Sequence, residues 1–169
     1  MKTLQESILS GDAERAADNA ALFVKVKKWL DYYGATVEGL KVNKDGTFDA
    51  EKIRFWAHTD LYTLPEYLKF NYVKSFAVDS CQNWHGYKGF PKKCDKLYLR
   101  DIYGMKDLKN LEDSEIGWLC LDECHGFGRN LGIPKNHKIK SMRFVRCSYG
   151  RWDDTWEGQL HRAHITWTP

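Results

Sequence analysis

No stretch of this chain approaches 18 consecutive apolar residues, so no membrane-spanning helix is expected. It also lacks a basic start leading into an apolar segment. Met1-Lys2-Thr3-Leu4 gives way to Glu6, Asp12 and Glu14, which is not the pattern of a secretory signal. Charge of one sign is missing too: 26 Lys and Arg stand against 23 Asp and Glu, a net +3. That balance supplies no strong electrostatic pull toward nucleic acid or a membrane surface. Cysteine is sparse and odd in number, at five. Without a secretory signal these read as thiols rather than a disulfide framework, and a reducing cytoplasm is the expected compartment. Catalytic signatures are missing as well. The sequence holds no Gly-x-Ser-x-Gly, no His-Glu-x-x-His and no phosphate-cradling glycine loop with its lysine. The expectation is a protein that is not an enzyme and needs no cofactor or metal.

What the chain does have is 169 residues, enough for one domain with a real core, and many aromatics: seven Trp, nine Tyr and eight Phe. Residues 12–33 predict an amphipathic helix, with Asp12 as N-cap and Gly34 as its stop. Leu22, Val26, Trp29 and Tyr33 form one apolar stripe, and Lys25 and Lys28 lie off it. Residues 36–50 predict a hairpin turning at Asn43-Lys44-Asp45-Gly46, where Asp-Gly suits a tight turn. Asn43, Asp45 and Asp49 have the wrong spacing for a calcium loop and lack its closing glutamate.

A repeat begins at residue 53, in the form apolar-x-apolar-x-x-(small or apolar). It reads Ile53-x-Phe55-x-x-His58, Phe76-x-Val78-x-x-Cys81 and Leu97-x-Leu99-x-x-Ile102. It returns as Leu119-x-Leu121-x-x-Cys124, Met142-x-Phe144-x-x-Cys147 and Ala163-x-Ile165-x-x-Thr168. First positions are separated by 23, 21, 22, 23 and 21 residues, a period at which one strand and one return segment make each turn of a solenoid. With apolar anchors at Leu61, Met105 and Phe127, residues 53–168 resemble a degenerate leucine-rich-repeat array. Trp29-Leu30-Asp31-x-Tyr33, Asn43-Lys44-Asp45-Gly46-Thr47, Leu64-Pro65-x-x-Leu68 and Gly89-Phe90-Pro91-Lys92 are similar to repeat proteins encoded by tailed bacteriophages. The resemblance implies an α/β solenoid. A helix-and-hairpin cap (1–52) would precede about six leucine-rich-repeat-like turns forming a parallel sheet (53–169), all as one continuous unit.

In that register alternate residues face out on one sheet. The expected recognition face comprises Arg54, Trp56, Asp79, Tyr98, Arg100, Asp122, Arg143 and His164, with Asp101, Glu123, Arg146 and Trp167 beside them; Ala77, Cys120, Val145 and Thr166 complete the rows. Rigid aromatics among arginines and carboxylates suit a protein partner. The expected function is a protein-protein interaction module, and the phage resemblance implies an inhibitor or modulator of a host or defence protein. Lys135, Lys138, Lys140, Arg143, Arg146 and Arg151, with aromatics nearby, give an alternative nucleic-acid-binding reading. A small metal-dependent enzyme is a third. Trp152, Trp156 and Trp167 crowd the final strand, where they would either fold over as a cap or leave an edge for a partner or second copy. Cys120-x-x-x-Cys124-His125, with Cys81, Cys94 and His85, invites zinc, yet Cys120 takes an outward position and Cys124 an inward one. Cys81, Cys124 and Cys147 read instead as small buried residues inside the turns.

Overall fold

A long helix, α1 (Leu4–Tyr32), opens the computed structural model, which describes residues 4–86, 89–125, 132 and 137–147. The helix starts two turns before Asp12, so Asp12 is not its N-cap. Its carboxylate instead pairs with Arg15 within the helix. Between Leu4 and Asp12 only Gly11 disfavours helix strongly, at about 1 kcal/mol, too little to stop the element there. The C-terminal end is as expected. Gly34, at φ +53°, donates its N–H to Asp31 O, and Ala35 donates to Leu30 O, which closes the last carbonyls in a Schellman arrangement.

Val26 and Leu30 are fully buried, and Leu22, Phe23, Trp29 and Tyr33 pack partly buried beside them. This stripe lies on the first long strand, with Trp29 edge-on to Phe55 at 5.7 Å and Phe23 tilted over Phe48 at 6.5 Å. Lys25 and Lys28 stay exposed, and the Lys25 ammonium sits 3.9 Å above the Tyr67 ring. The helix therefore covers the N-terminal end of the sheet.

The hairpin follows. Strands β1 (Thr36–Glu38) and β2 (Lys41–Val42) run antiparallel to β3 (Phe48–Trp56). In the turn the Asp45 carboxylate accepts from both Thr47 N and Thr47 Oγ1, at 3.0 and 2.7 Å. These bonds favour the ionised form and lower the Asp45 pKa. That carboxylate is thus a turn brace.

From β3 onward the strands stack in parallel: β4 (Phe70–Asp79), β5 (Lys93–Arg100), β6 (Glu115–Asp122) and β7 (Lys138–Val145). The result is a β-solenoid of about four turns behind an N-terminal helix. The sixth repeat, Ala163 to Thr168, lies outside the described residues, as does the expected anchor Phe127. The register read from the sequence is the register observed. Ile53, Phe76, Leu97, Leu119 and Met142 align across five strands, as do Phe55, Val78, Leu99, Leu121 and Phe144. All ten are buried.

A third inward row accompanies them three residues earlier: Ala50, Val73, Cys94, Ile116 and Ile139. Between this row and the Ile53 row two residues per strand point away from the core, so each strand bends there. Pairing omits Glu51, Lys74, Asp95 and Gly117 at that bend. A side chain at Gly117 would bring its Cβ within 2.7 Å of Asp95 O, so the turns approach there closely enough to need glycine.

Each strand ends at a left-handed corner. Ala57, Ser80, Asp101, Glu123 and Arg146 all have φ between 49° and 59°. None is glycine, and each conformation costs about 1 kcal/mol. The stack offsets it. At the first four of these corners the N–H donates to the last carbonyl of the next strand at 2.9 Å: Ala57 to Asp79, Ser80 to Arg100, Asp101 to Asp122 and Glu123 to Val145. Return segments contribute Leu61, Leu64, Leu68, Trp84, Met105, Leu108 and Leu111 to the core, with one 3-10 turn at Lys109–Leu111. Full burial of one Leu or Phe side chain contributes about 1.5–3 kcal/mol, so three continuous apolar rows drive the assembly.

Candidate functional site

Outward residues fall into the two expected rows and a third that was not expected. Arg54, Ala77, Tyr98, Cys120 and Arg143 are aligned, and so are Trp56, Asp79, Arg100, Asp122 and Val145. Beside them runs Lys52, Ser75, Lys96, Trp118 and Ser141. This third row went unread because the repeat was anchored on its later apolar pair. The apolar residue three places earlier in each turn was the available signal.

Charges on this face bind one another across turns. Arg54 Nη2 donates to Asp79 Oδ2 at 2.6 Å, joining β3 to β4. Asp122 is a hub. It accepts from Tyr98 Oη at 2.9 Å and from Arg146 Nη2 at 3.1 Å, with Arg100 Nε 3.8 Å away. Glu123 takes Arg146 Nη1 at 3.2 Å and Arg100 Nη2 at 3.5 Å. Asp101 holds a corner, and its carboxylate raises the pKa of the nearby Tyr103 phenol. Burial, followed by the bond to Asp122, pushes the Tyr98 phenol up to about 12.

The members of these pairs are unequally exposed. The Asp79 side chain is 3% exposed and Asp122 12%, whereas Arg54, Arg100 and Arg146 are 45%, 42% and 60% exposed. The carboxylates lie outward of the core but beneath the arginines. Trp56, at 65%, projects freely and forms a shallow hollow of about 230 Å³ with Thr36 and Arg54. Arg143 is exposed; Tyr98 and Trp118 are half-buried. The structure thus brings together Arg54, Trp56, Asp79, Tyr98, Arg100, Asp101, Asp122, Glu123, Arg143 and Arg146. His164 and Trp167 lie outside the described residues, as do Arg151, Lys135 and the aromatic cluster at the C-terminal end.

The thiols are quiet. No disulfide joins the five cysteines. Cys94 and Cys120 are pushed up to about 11 by burial, and Cys81 and Cys124 are raised as well; the first cause at Cys124 is its contact with the Cys147 thiol. Little thiolate exists near neutral pH, which leaves them poor nucleophiles. Cys124 donates inward to Leu99 O at 3.3 Å while Cys120 occupies the outer row, so the two diverge. His125 stacks on Tyr103 at 5.4 Å and His85 on Tyr62 at 5.8 Å. Among the described residues no three His, Cys, Asp or Glu side chains converge as a metal site. No helix is long and apolar enough to cross a membrane, again among the described residues. No protein-family model, curated protein or solved structure matches the chain.

Proposed function

We propose that this protein is a non-enzymatic protein-binding module and that the three outward rows of the solenoid are its recognition face. One observation carries the reading: an exposed tryptophan, Trp56, stands on a face where Arg54, Arg100 and Arg146 are already held by the largely buried carboxylates of Asp79 and Asp122. Such a face is ordered before a partner arrives, so little side-chain entropy is lost on binding. Trp and Arg are also the residues that most often anchor interfaces. In this reading the array is a degenerate leucine-rich-repeat-like solenoid of six turns, encoded by a phage. It acts in the host cytoplasm as an inhibitor or modulator of a host or defence protein.

The test is affinity capture from bacterial lysate with the wild type and a Trp56→Ala/Tyr98→Ala/Arg100→Ala variant of unchanged fold. A partner retained by the first and lost by the second supports the reading; identical captures overturn it. A nucleic-acid reading draws on Lys96 and Arg143, cations on the same face that form no ion pair among the described residues. A salt-dependent gel shift would favour it.

A further inference from the structure

Building on the protein-binding reading above, we infer that the partner presents an acidic segment in extended conformation, laid along the solenoid axis across β3, β5 and β7. Within the three outward rows the formal charge is mixed, but the two carboxylates, Asp79 and Asp122, are far less exposed than the cations. Asp79 and Asp122 lie beneath the guanidinium groups they bind, and those groups are roughly half-exposed. A partner approaching these rows therefore meets cations before those two carboxylates, with Lys52 already paired to exposed Glu38 at 3.0 Å.

Those cations alternate with the strands. In the three outward rows β3 carries Lys52 and Arg54, β5 carries Lys96 and Arg100, and β7 carries Arg143, with Arg146 at the corner after it. The same rows on β4 hold Ser75, Ala77 and Asp79, and on β6 Trp118, Cys120 and Asp122; neither set includes a cation. Neighbouring strands are about 4.8 Å apart, so positive charge recurs about every 9.6 Å. A polypeptide in the extended polyproline II form advances about 3.1 Å per residue with three residues per turn, so every third side chain returns to the same face about 9.3 Å on. Three acidic residues at that interval would span β3 to β7. Trp56, beside Arg54, would take an apolar side chain at one end.

A nucleic-acid strand matches less well. Its phosphates recur far more closely than the cations, and one backbone would leave most of them unanswered. Continuous binding of single strands also uses successive projecting rings. Here Trp56 projects, while Tyr98 is half-buried and its hydroxyl is committed to Asp122.

The experiment uses the full chain and three fluorescent probes at low salt. The first is a capped peptide of about seven residues with glutamate at every third position. The second has the same composition with its glutamates adjacent, and the third is a short single-stranded oligonucleotide. The spaced peptide is expected to bind about five-fold more tightly than the clustered one, because two further exposed ion pairs form. Lys96→Gln/Arg143→Gln should weaken it about five-fold with unchanged thermal unfolding, since neither residue forms an ion pair among the described residues. Lys96→Arg/Arg143→Lys should restore it. Equal affinity for both peptides, or preference for the oligonucleotide, would overturn the assignment. Capture of a partner dependent on Trp56, with both peptides inert, would refute the acidic segment alone. Capture independent of the face would refute the binding reading itself.

Discussion

Removing Arg54 should destabilise the protein more than removing Arg54 and the charge of Asp79 together. The Asp79 side chain is 3% exposed, and its carboxylate holds Arg54 at 2.6 Å and the Ser80 hydroxyl at 3.2 Å. Arg54→Ala leaves that carboxylate with one neutral hydrogen-bond donor and the more distant charge of Arg100, in a site water barely reaches. Breaking a buried ion pair from one side costs roughly 3–5 kcal/mol. Arg54 is itself 45% exposed, which lowers the expected loss to about 2 kcal/mol. Asp79→Asn releases a guanidinium that can turn to water and should cost about 1 kcal/mol. The double variant Arg54→Ala/Asp79→Asn has no buried charge to strand and should also lose about 1 kcal/mol, less than Arg54→Ala alone. Urea unfolding at neutral pH measures this. With a slope of about 2 kcal/mol per molar, Arg54→Ala should lower the midpoint by about 1 M and the double variant by about half that. A double variant as unstable as the sum of the two single ones would refute a buried, paired Asp79.

Three further outcomes follow from the geometry. Leu97 is fully buried between Phe76 and Leu119, so Leu97→Ala should cost about 2–5 kcal/mol, whereas exposed Arg143→Ala should stay within about 0.5 kcal/mol by the same unfolding assay. Gly117→Ala places a Cβ 2.7 Å from Asp95 O and should cost about 1–3 kcal/mol; a neutral result would mean the turns are not that close. The Tyr98 phenol, raised to about 12 by burial and by Asp122, should titrate above ordinary tyrosines by NMR, and Asp122→Asn should bring it partway back. Because the raised value favours the neutral phenol in the folded state, its contribution is complete below about pH 10 and disappears as pH climbs toward 12.

The apolar pairs Ile53/Phe55 through Met142/Phe144 show why so much of the fold was legible. A strand must alternate and a solenoid must repeat, and only one spacing satisfied both. Gly34 and the Asp45-Gly46 turn were readable for a similar reason, since few residues accept positive φ. The five non-glycine corners were not readable. Ala57, Ser80, Asp101, Glu123 and Arg146 adopt that conformation with hydrogen bonds from the next turn to hold the first four, and nothing local marks them. The start of α1 was misread because Asp12 has an N-cap's chemistry without an N-cap's position.

The recognition face divides along the same line. Which side chains face outward followed from alternation, a local property of extended backbone. Which of them a partner could touch depended on contacts between residues more than 20 positions apart, such as Arg54 with Asp79 and Arg146 with Asp122. The sequence by itself determined the inward rows and hence the stacking of the strands. Only the tertiary structure decided that the carboxylates are buried beneath the arginines. A charge's exposure is set by what neighbouring turns place over it, and its own position along the chain does not encode that.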